Sequence, residues 1–336
     1  MSGASSGPLR AGVVGLGMMG RNHARVWDEA IDGVDLVAVA DPDPAAREAV
    51  TAVQAVAAYA DASEMFSTER LDLVSIVAPT SLHRELTLQA LRSGADVLVE
   101  KPIAASRAEA EEMIAAARAA GRVLSVGHIE RFNPAIRELR QRLAAGDVGR
   151  IFEMQATRLG PFPARIRDVG VVVDLAPHDI DVMRFLLGSD PVRLYAETER
   201  RIHTEHEDLF VGVMKFANGA IGVLDINWLT PIKQRRLSVT GERGMYVADY
   251  LTQELVLYEN SADGTVVEGA AVRRQIERRE PLVVELEEFA AAARAGGPAP
   301  VDPREAMVAL LLAQAMVDAA RSGGAIGGEA LAEVLA

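Results

Sequence analysis

Two regimes of hydrophobic patterning divide the chain. From Leu9 to about His128, short and continuously apolar runs rich in β-branched residues alternate with longer stretches whose apolar positions recur every three or four residues. The runs predict strands over Arg10–Gly15, Asp35–Ala40, Asp72–Val77, Asp96–Val99 and Val123–Val126. The periodic stretches predict helices over Met19–Glu29, Pro44–Val53, Leu82–Arg92 and Arg107–Ala119. Strands apolar on both faces and separated by helices belong to a parallel sheet covered on both sides, so residues 9–128 are expected to form a doubly wound α/β domain.

Beyond residue 128 the alternation changes. The runs Ile151–Leu159, Arg193–Arg200, Asp208–Phe216, Ala220–Trp228, Arg235–Thr240 and Tyr246–Tyr258 read as strands, some joined by turn pairs such as Asn218-Gly219 and Asp263-Gly264. Successive strands without intervening helices pair antiparallel. Residues 129–330 are therefore expected to form an α+β domain with a mainly antiparallel sheet, crossed by a helix near Asp174–Leu187. A long Ala-rich helix over Arg304–Arg321 follows a linker-like Gly296–Pro300.

Composition narrows the function. The 336 residues carry a net charge of −13, which disfavours the basic surfaces that nucleic acid or membrane partners need. The chain has no cysteine, which removes disulfides, thiolate metal ligands and thiol nucleophiles together. Met1–Pro8 is Ser/Gly-rich without an apolar core, no apolar run reaches membrane-spanning length, and a cytoplasmic protein is the expectation.

Gly15-Leu16-Gly17-Met18-Met19-Gly20 forms a G-x-G-x-x-G at a strand-to-helix junction, the fingerprint of a Rossmann dinucleotide site. Its glycines permit a tight turn and close approach of a pyrophosphate to backbone N–H groups at the helix start. Asp41 ends the second strand, where a carboxylate would bind the adenosine ribose. Pro42 and Asp43 follow with no adjacent arginine to take a 2′-phosphate, so NAD is favoured over NADP. Pro79, Thr80 and His83 follow the fourth strand; His83 would face the cofactor cleft, or serve an equally expected structural role. Glu100-Lys101-Pro102 closes the fifth strand; an ammonium at the carboxyl ends of such strands can hydrogen-bond a substrate hydroxyl and stabilise alkoxide charge.

Asp174, His178 and Asp181 carry spacings of four and three, which place them on one helical face. An imidazole between carboxylates suits a general base near neutral pH. Asp174 reads equally as the N-cap of a helix starting at Leu175, and His178 as a structural histidine. A metal site is not expected, because nothing elsewhere completes a ligand set. Arg158, Arg165 and Arg167 flank Gly160-Pro161-Phe162-Pro163; they suggest an anionic substrate group such as phosphate, or simply a solvated face. Phe162 either stacks on a sugar or base, or packs.

Together these motifs resemble the glucose–fructose oxidoreductase and inositol dehydrogenase family, from Gly12 to the helix at Arg304–Gly323. The resemblance implies that Lys101, His178 and Asp174 line the nicotinamide site. It also implies that His178 or Lys101 takes the hydroxyl proton as hydride leaves. Val126–Pro134, Gly160–Pro163 with the arginines after it, and Asn227–Pro231 resemble the subgroup that oxidises the 3-hydroxyl of UDP-N-acetylglucosamine with NAD. On that likeness Arg131, Asn133, Arg158, Phe162, Arg165 and Arg167 join Lys101, Asp174 and His178 as expected substrate residues. Gly15, Gly17, Met18, Met19, Gly20, Asp41, Pro79, Thr80, His83, Glu100 and Lys101 are the expected cofactor residues. The implied partner is a sugar or nucleotide sugar; separately, a large antiparallel sheet with one uncovered face suggests association through that face, as a homodimer or homotetramer. Inositol or another polyol is the alternative substrate. A dinucleotide-responsive regulator without turnover is the alternative class, although it would have no use for a proton-transfer set.

Overall fold

A computed structural model describes residues 7–163, 169–202, 205–261, 265–266 and 269–336. They form two compact units: residues up to Ile129 together with Glu280–Met307, and Glu130–Arg279 together with Val308–Ala336. The expected second region, 129–330, is thus interrupted by a return of the chain to the first unit.

The first unit runs β1 (Leu9–Val14), α1 (Met18–Glu29), β2 (Val34–Ala40), α2 (Pro44–Thr51), β3 (Ala57–Tyr59), α3 (Ala62–Thr68), β4 (Leu73–Ile76), α4 (Thr80–Ser93), β5 (Asp96–Glu100), α5 (Arg107–Ala120) and β6 (Leu124–Gly127). Its sheet has the order β3-β2-β1-β4-β5-β6, all parallel. Strands β2 and β4 flank β1, which makes the end of β1 the point where the strand order reverses and where such sheets bind ligands. The doubly wound expectation is met. Two elements fall where the pattern predicts none, β3 and α3, and both are too short for a period to be visible.

The returning segment includes the helix that closes this unit. After the second unit's β14 (Ala271–Arg274), α8 (Pro281–Ala295) packs Leu282, Leu286, Phe289 and Ala290 into the first core, with Trp27 and Phe289 ring centroids 6.4 Å apart. The Trp27 indole N–H donates to Ser75 Oγ at 2.8 Å, which satisfies the one polar atom of the buried ring.

The second unit opens with a 3₁₀ turn (Ile129–Phe132) and α6 (Pro134–Ala144), followed by β7 (Ile151–Pro161), α7 (Val171–Leu187), β8 (Pro191–Glu199), β9 (Leu209–Phe216), β10 (Ile221–Asn227), β11 (Leu229–Gly241), β12 (Gly244–Asp249) and β13 (Glu254–Glu259). After β14 and α8 come α9 (Pro303–Ser322), β15 (Ile326–Gly327) and α10 (Glu329–Leu335). The nine-stranded sheet has the order β14-β13-β12-β11-β7-β10-β9-β8-β15. Every described pair is antiparallel except β7 with β10, so the sheet is mainly antiparallel. One face packs against α6, α7 and the second part of α9 around Met154, Ala156, Phe210, Met214 and Leu224. The alternating positions on the other face leave Val211, Val213, Ile221 and Tyr258 exposed.

Two expectations need correction here. Tyr246–Tyr258 is a hairpin rather than one strand: β12 and β13 pair antiparallel, and Gln253 takes a left-handed φ of 54° in the turn between them. Helix α7 starts at Val171, four residues before the expected start, with Gly170 as its N-cap. Its first donors are satisfied from outside the helix, Val171 N–H by the Glu207 carbonyl at 2.9 Å and Val172 N–H by Glu207 Oε1 at 3.4 Å. No side-chain cap is needed, and Asp174 lies inside the helix with its own N–H donating to the Gly170 carbonyl at 3.1 Å.

Candidate functional site

In the first unit the glycine loop is built for close approach. Gly15 has φ +89°, and a Cβ there would stand 2.6 Å from the Val77 carbonyl oxygen. A Cβ on Gly20 would lie 1.8 Å from the Gly15 carbonyl oxygen, so helix α1 and strand β1 touch through that position. Gly17 differs: nothing lies within 4 Å of where its Cβ would be, and it caps α1 without a side-chain hydrogen bond. Met18 is exposed and Met19 half-buried in the first turn. Asp41 braces this loop, accepting from Leu16 N–H at 2.6 Å through Oδ2 and from Asp43 N–H at 2.8 Å through Oδ1. A carboxylate has about four acceptor positions, so capacity for ribose hydroxyls remains. Arg47, six residues on in α2, reaches back to the Asp41 and Pro42 carbonyls at 2.6 and 3.1 Å. The sequence shows no arginine next to Asp41, but the fold brings one there.

Pro79 is exposed at the N-cap of α4 and Thr80 is the first residue of that helix. His83 does not present a free face to a cofactor. It is buried, with Nδ1 2.9 Å from the Pro102 carbonyl and Nε2 2.8 Å from the Ala78 carbonyl, and burial lowers its pKa. It therefore ties the end of β4 to the Lys101–Pro102 turn, whose peptide bond is cis.

Next to Lys101 in the chain stands Glu100, mostly shielded from water. The Lys101 backbone N–H donates to Glu100 Oε2 at 3.1 Å, while Glu100 Oε1 sits 3.3 Å from Nε2 of the buried His23. Burial opposes ionisation of Glu100, but the hydrogen bond and charge of His23, with the Lys101 charge, outweigh it and lower its pKa. Glu285, on α8, is 1% exposed, and neither of its carboxyl oxygens has a hydrogen-bond partner among the described residues. Burial, and then the charge of Glu100, push it well above the ordinary carboxylate range. The sequence reading missed this residue together with its helix. Pro281 at the first helical position, the apolar spacing of Leu282, Leu286 and Phe289, and Gly296 at the end were the available signals.

In the second unit, α7 carries Asp174 and His178 half-buried and Asp181 fully buried. Asp181 binds Arg131 through two hydrogen bonds of 2.6 and 2.7 Å. Asp179 binds Arg158 the same way at 2.6 and 2.9 Å, and Glu130 adds a third contact to Arg158 at 3.0 Å. Burial disfavours the Arg158 charge, but Asp179 and Glu130 outweigh it and raise its pKa. Arg131 and Arg158, at 6% and 3% exposure, thus hold the helix rather than offer themselves to a substrate anion. Asn133 is likewise structural. It caps α6, accepting from Ala135 N–H at 3.1 Å and donating to the Tyr250 carbonyl at 3.0 Å. Phe162 is half-buried and meets Trp228 edge-on, with centroids 5.6 Å apart. Arg165 and Arg167 lie outside the described residues. Among the described residues no cluster of three histidine or acidic side chains could hold a metal ion, and no helix is long and apolar enough to cross a membrane.

A family model described as an oxidoreductase family with an NAD-binding Rossmann fold matches residues 9–128. A second, the GFO/IDH/MocA C-terminal domain, matches residues 136–247. The chain is 32% identical over 284 residues to UDP-N-acetylglucosamine 3-dehydrogenase of Acidithiobacillus ferrooxidans, covering 84% of this chain and 87% of that protein. The chain belongs to the GFO/IDH/MocA oxidoreductase family. It is also 27% identical to myo-inositol 2-dehydrogenase of Thermotoga maritima, over 91% of this chain and 95% of that protein. A solved structure of the Acidithiobacillus ferrooxidans enzyme superposes with a TM-score of 0.84 at 29% identity, covering 94% of this chain and 98% of the other.

As a member of this oxidoreductase family the chain takes NAD, and the loop fits it. The open space at Gly17, the uncapped start of α1 and the spare acceptor capacity of Asp41 match a dinucleotide. Gly17→Ala is predicted to keep its melting temperature within about 2 °C while NAD affinity falls by about tenfold or more, since only the ligand needs that space. Unchanged NAD affinity by calorimetry would count against this assignment. For Glu285 the sign is set by its raised pKa: the folded state binds the proton more tightly, so stability is lost as pH rises above the ordinary carboxylate range. Glu285→Gln should raise the melting temperature, and by more at pH 8 than at pH 5. An equal effect at both pH values would mean that its ionisation plays no part.

Proposed function

We propose that the chain oxidises a sugar hydroxyl with NAD, the 3-hydroxyl of UDP-N-acetylglucosamine giving the 3-keto sugar. The observation that carries the reading is that Asp174 and His178 share one helical face, both half-buried, on a helix that Asp179 and Asp181 anchor through buried ion pairs. His178 acts as general base for the substrate hydroxyl, and Asp174 orients its ring. Lys101, on the turn braced by Glu100 and His83, carries an ammonium that can polarise a substrate hydroxyl and stabilise negative charge as a proton leaves. Bound NAD supplies the hydride acceptor. The likeness to the Acidithiobacillus ferrooxidans enzyme supports the nucleotide sugar. The likeness to myo-inositol 2-dehydrogenase favours a second reading, a neutral polyol substrate, and the ion-pairing of Arg131 and Arg158 leaves that reading open.

A panel of UDP-N-acetylglucosamine, myo-inositol and free sugars, read by NADH absorbance, is expected to single out the nucleotide sugar. His178→Ala should lower its turnover by about 10²–10⁴-fold with NAD affinity retained. Loss of NAD binding in that variant would make His178 structural, and turnover of myo-inositol alone would replace the substrate assignment.

We further propose that the chain associates as a homodimer or homotetramer through the open face of the nine-stranded sheet, where Val211, Val213, Ile221 and Tyr258 stand exposed. Light scattering should give two or four times the chain mass, and Val213→Glu should lower it; a monomeric mass for the unaltered chain excludes the assembly.

A further inference from the structure

The second unit contains a third inward-facing arginine whose surroundings differ from those of Arg131 and Arg158. Arg235 lies on β11 directly opposite Arg158 on β7, and it shares the parity of Leu237 and Val239, which are buried. Its side chain therefore rises from the helix-covered face of the sheet. It is half-buried, yet among the described residues it forms no ion pair with a carboxylate. Its hydrogen bonds are two weak ones, from Nη1 to the Leu159 and Gln234 carbonyls, both at 3.5 Å. The carboxylates that feel its charge are Asp179 and Glu130, which already bind Arg158, and Asp174. Burial, and then the neighbouring Arg158 charge, bring its pKa down to about 10, so this guanidinium is charged at neutral pH at a cost that no neighbour fully offsets.

A half-buried guanidinium without a counter-ion, in electrostatic reach of Asp174, is poised for an anion brought from outside. We propose that Arg235 determines substrate specificity by holding an anionic oxygen group of the sugar substrate, a phosphate or a carboxylate. This deepens the sugar-oxidation reading above and rests on it for the word substrate. A group held there would lie near the helix face that carries Asp174, and the neutral sugars of the second reading would forgo the contact. Little in the sequence marks this residue: Arg235 sits in the charged run Lys233-Gln234-Arg235-Arg236, and only the strand register turns it inward.

The test compares charged and neutral probes on the NAD-bound protein. Calorimetry with UDP against uridine reads a phosphate, and with glucuronate against glucose a carboxylate, for the unaltered chain, Arg235→Gln and Arg235→Lys. One anionic probe should bind the unaltered chain more tightly than its neutral counterpart. Arg235→Gln should then lose about tenfold or more of that preference, and Arg235→Lys should recover part of it. The Michaelis constant for an anionic sugar substrate should rise by a similar factor, with a smaller change in kcat. No preference for either anion in the unaltered chain, or a preference that survives Arg235→Gln, would overturn the assignment. An anion preference that depends on Arg235 in a protein that oxidises no sugar would uphold the anion site and overturn the proposed reaction instead. Sugar oxidation with the preference untouched by Arg235→Gln would do the reverse.

Discussion

The placement of Asp174 and His178 depends on two buried ion pairs. Helix α7 carries Pro177 in its interior, which removes one backbone hydrogen bond and would loosen the turn just before His178. Asp179 and Asp181 follow at once, and each grips an arginine through two hydrogen bonds, Arg158 from β7 and Arg131 from the 3₁₀ turn. Both pairs are almost wholly excluded from water. Pairs of this kind add little net stability over apolar packing, but removing one partner strands a buried charge at a cost of about 3–5 kcal/mol. Their effect is to fix geometry: with residues 179 and 181 locked, the rotation of the helix about its axis is set, and so is the direction in which Asp174 and His178 face.

The first unit uses a different device. Lys101 sits on a turn held from two sides, by His83 bridging the Ala78 and Pro102 carbonyls and by Glu100 accepting from the Lys101 backbone. Glu100 is kept ionised by His23, and the nearby Glu285, denied any partner, is pushed toward the neutral form. Two shielded acids with one charge between them cost less than two charges, and the remaining charge is the one that interacts with Lys101. The structural roles of His83, Glu100 and Glu285 therefore converge on one ammonium.

Much of the fold was legible from the pattern of apolar residues. Both sheets, the glycine loop and the helix around His178 follow from periods of 2 and 3.6 and from glycine at a strand-to-helix turn. Less of the site was legible, because residue type does not reveal who is already paired. Arg131 and Arg158 have the chemistry of anion binders, yet their carboxylate partners lie 50 and 21 residues away in sequence. Asn133 sits before Pro134, a helix-start signal in its own right, and the fold uses it so. The start of α7 was misjudged because its donors are satisfied by Glu207, far along the chain. Arg47, Arg235 and Glu285 were missed for the complementary reason: only strand register and helix packing bring them near Asp41, Asp174 and Glu100.

Family and fold make the protein a dehydrogenase in which buried ion pairs set the posture of Asp174 and His178, the proposed proton-transfer pair, and Arg235 is the proposed determinant of substrate choice. The most direct measurement of the central claim is the fate of the hydrogen on the reacting carbon. With UDP-N-acetylglucosamine deuterated at C3 and NAD, mass spectrometry should find the deuterium on the reduced nicotinamide and a sugar lighter by the two hydrogens of a ketone. Reduced cofactor without deuterium, or label retained in the sugar, would contradict the account.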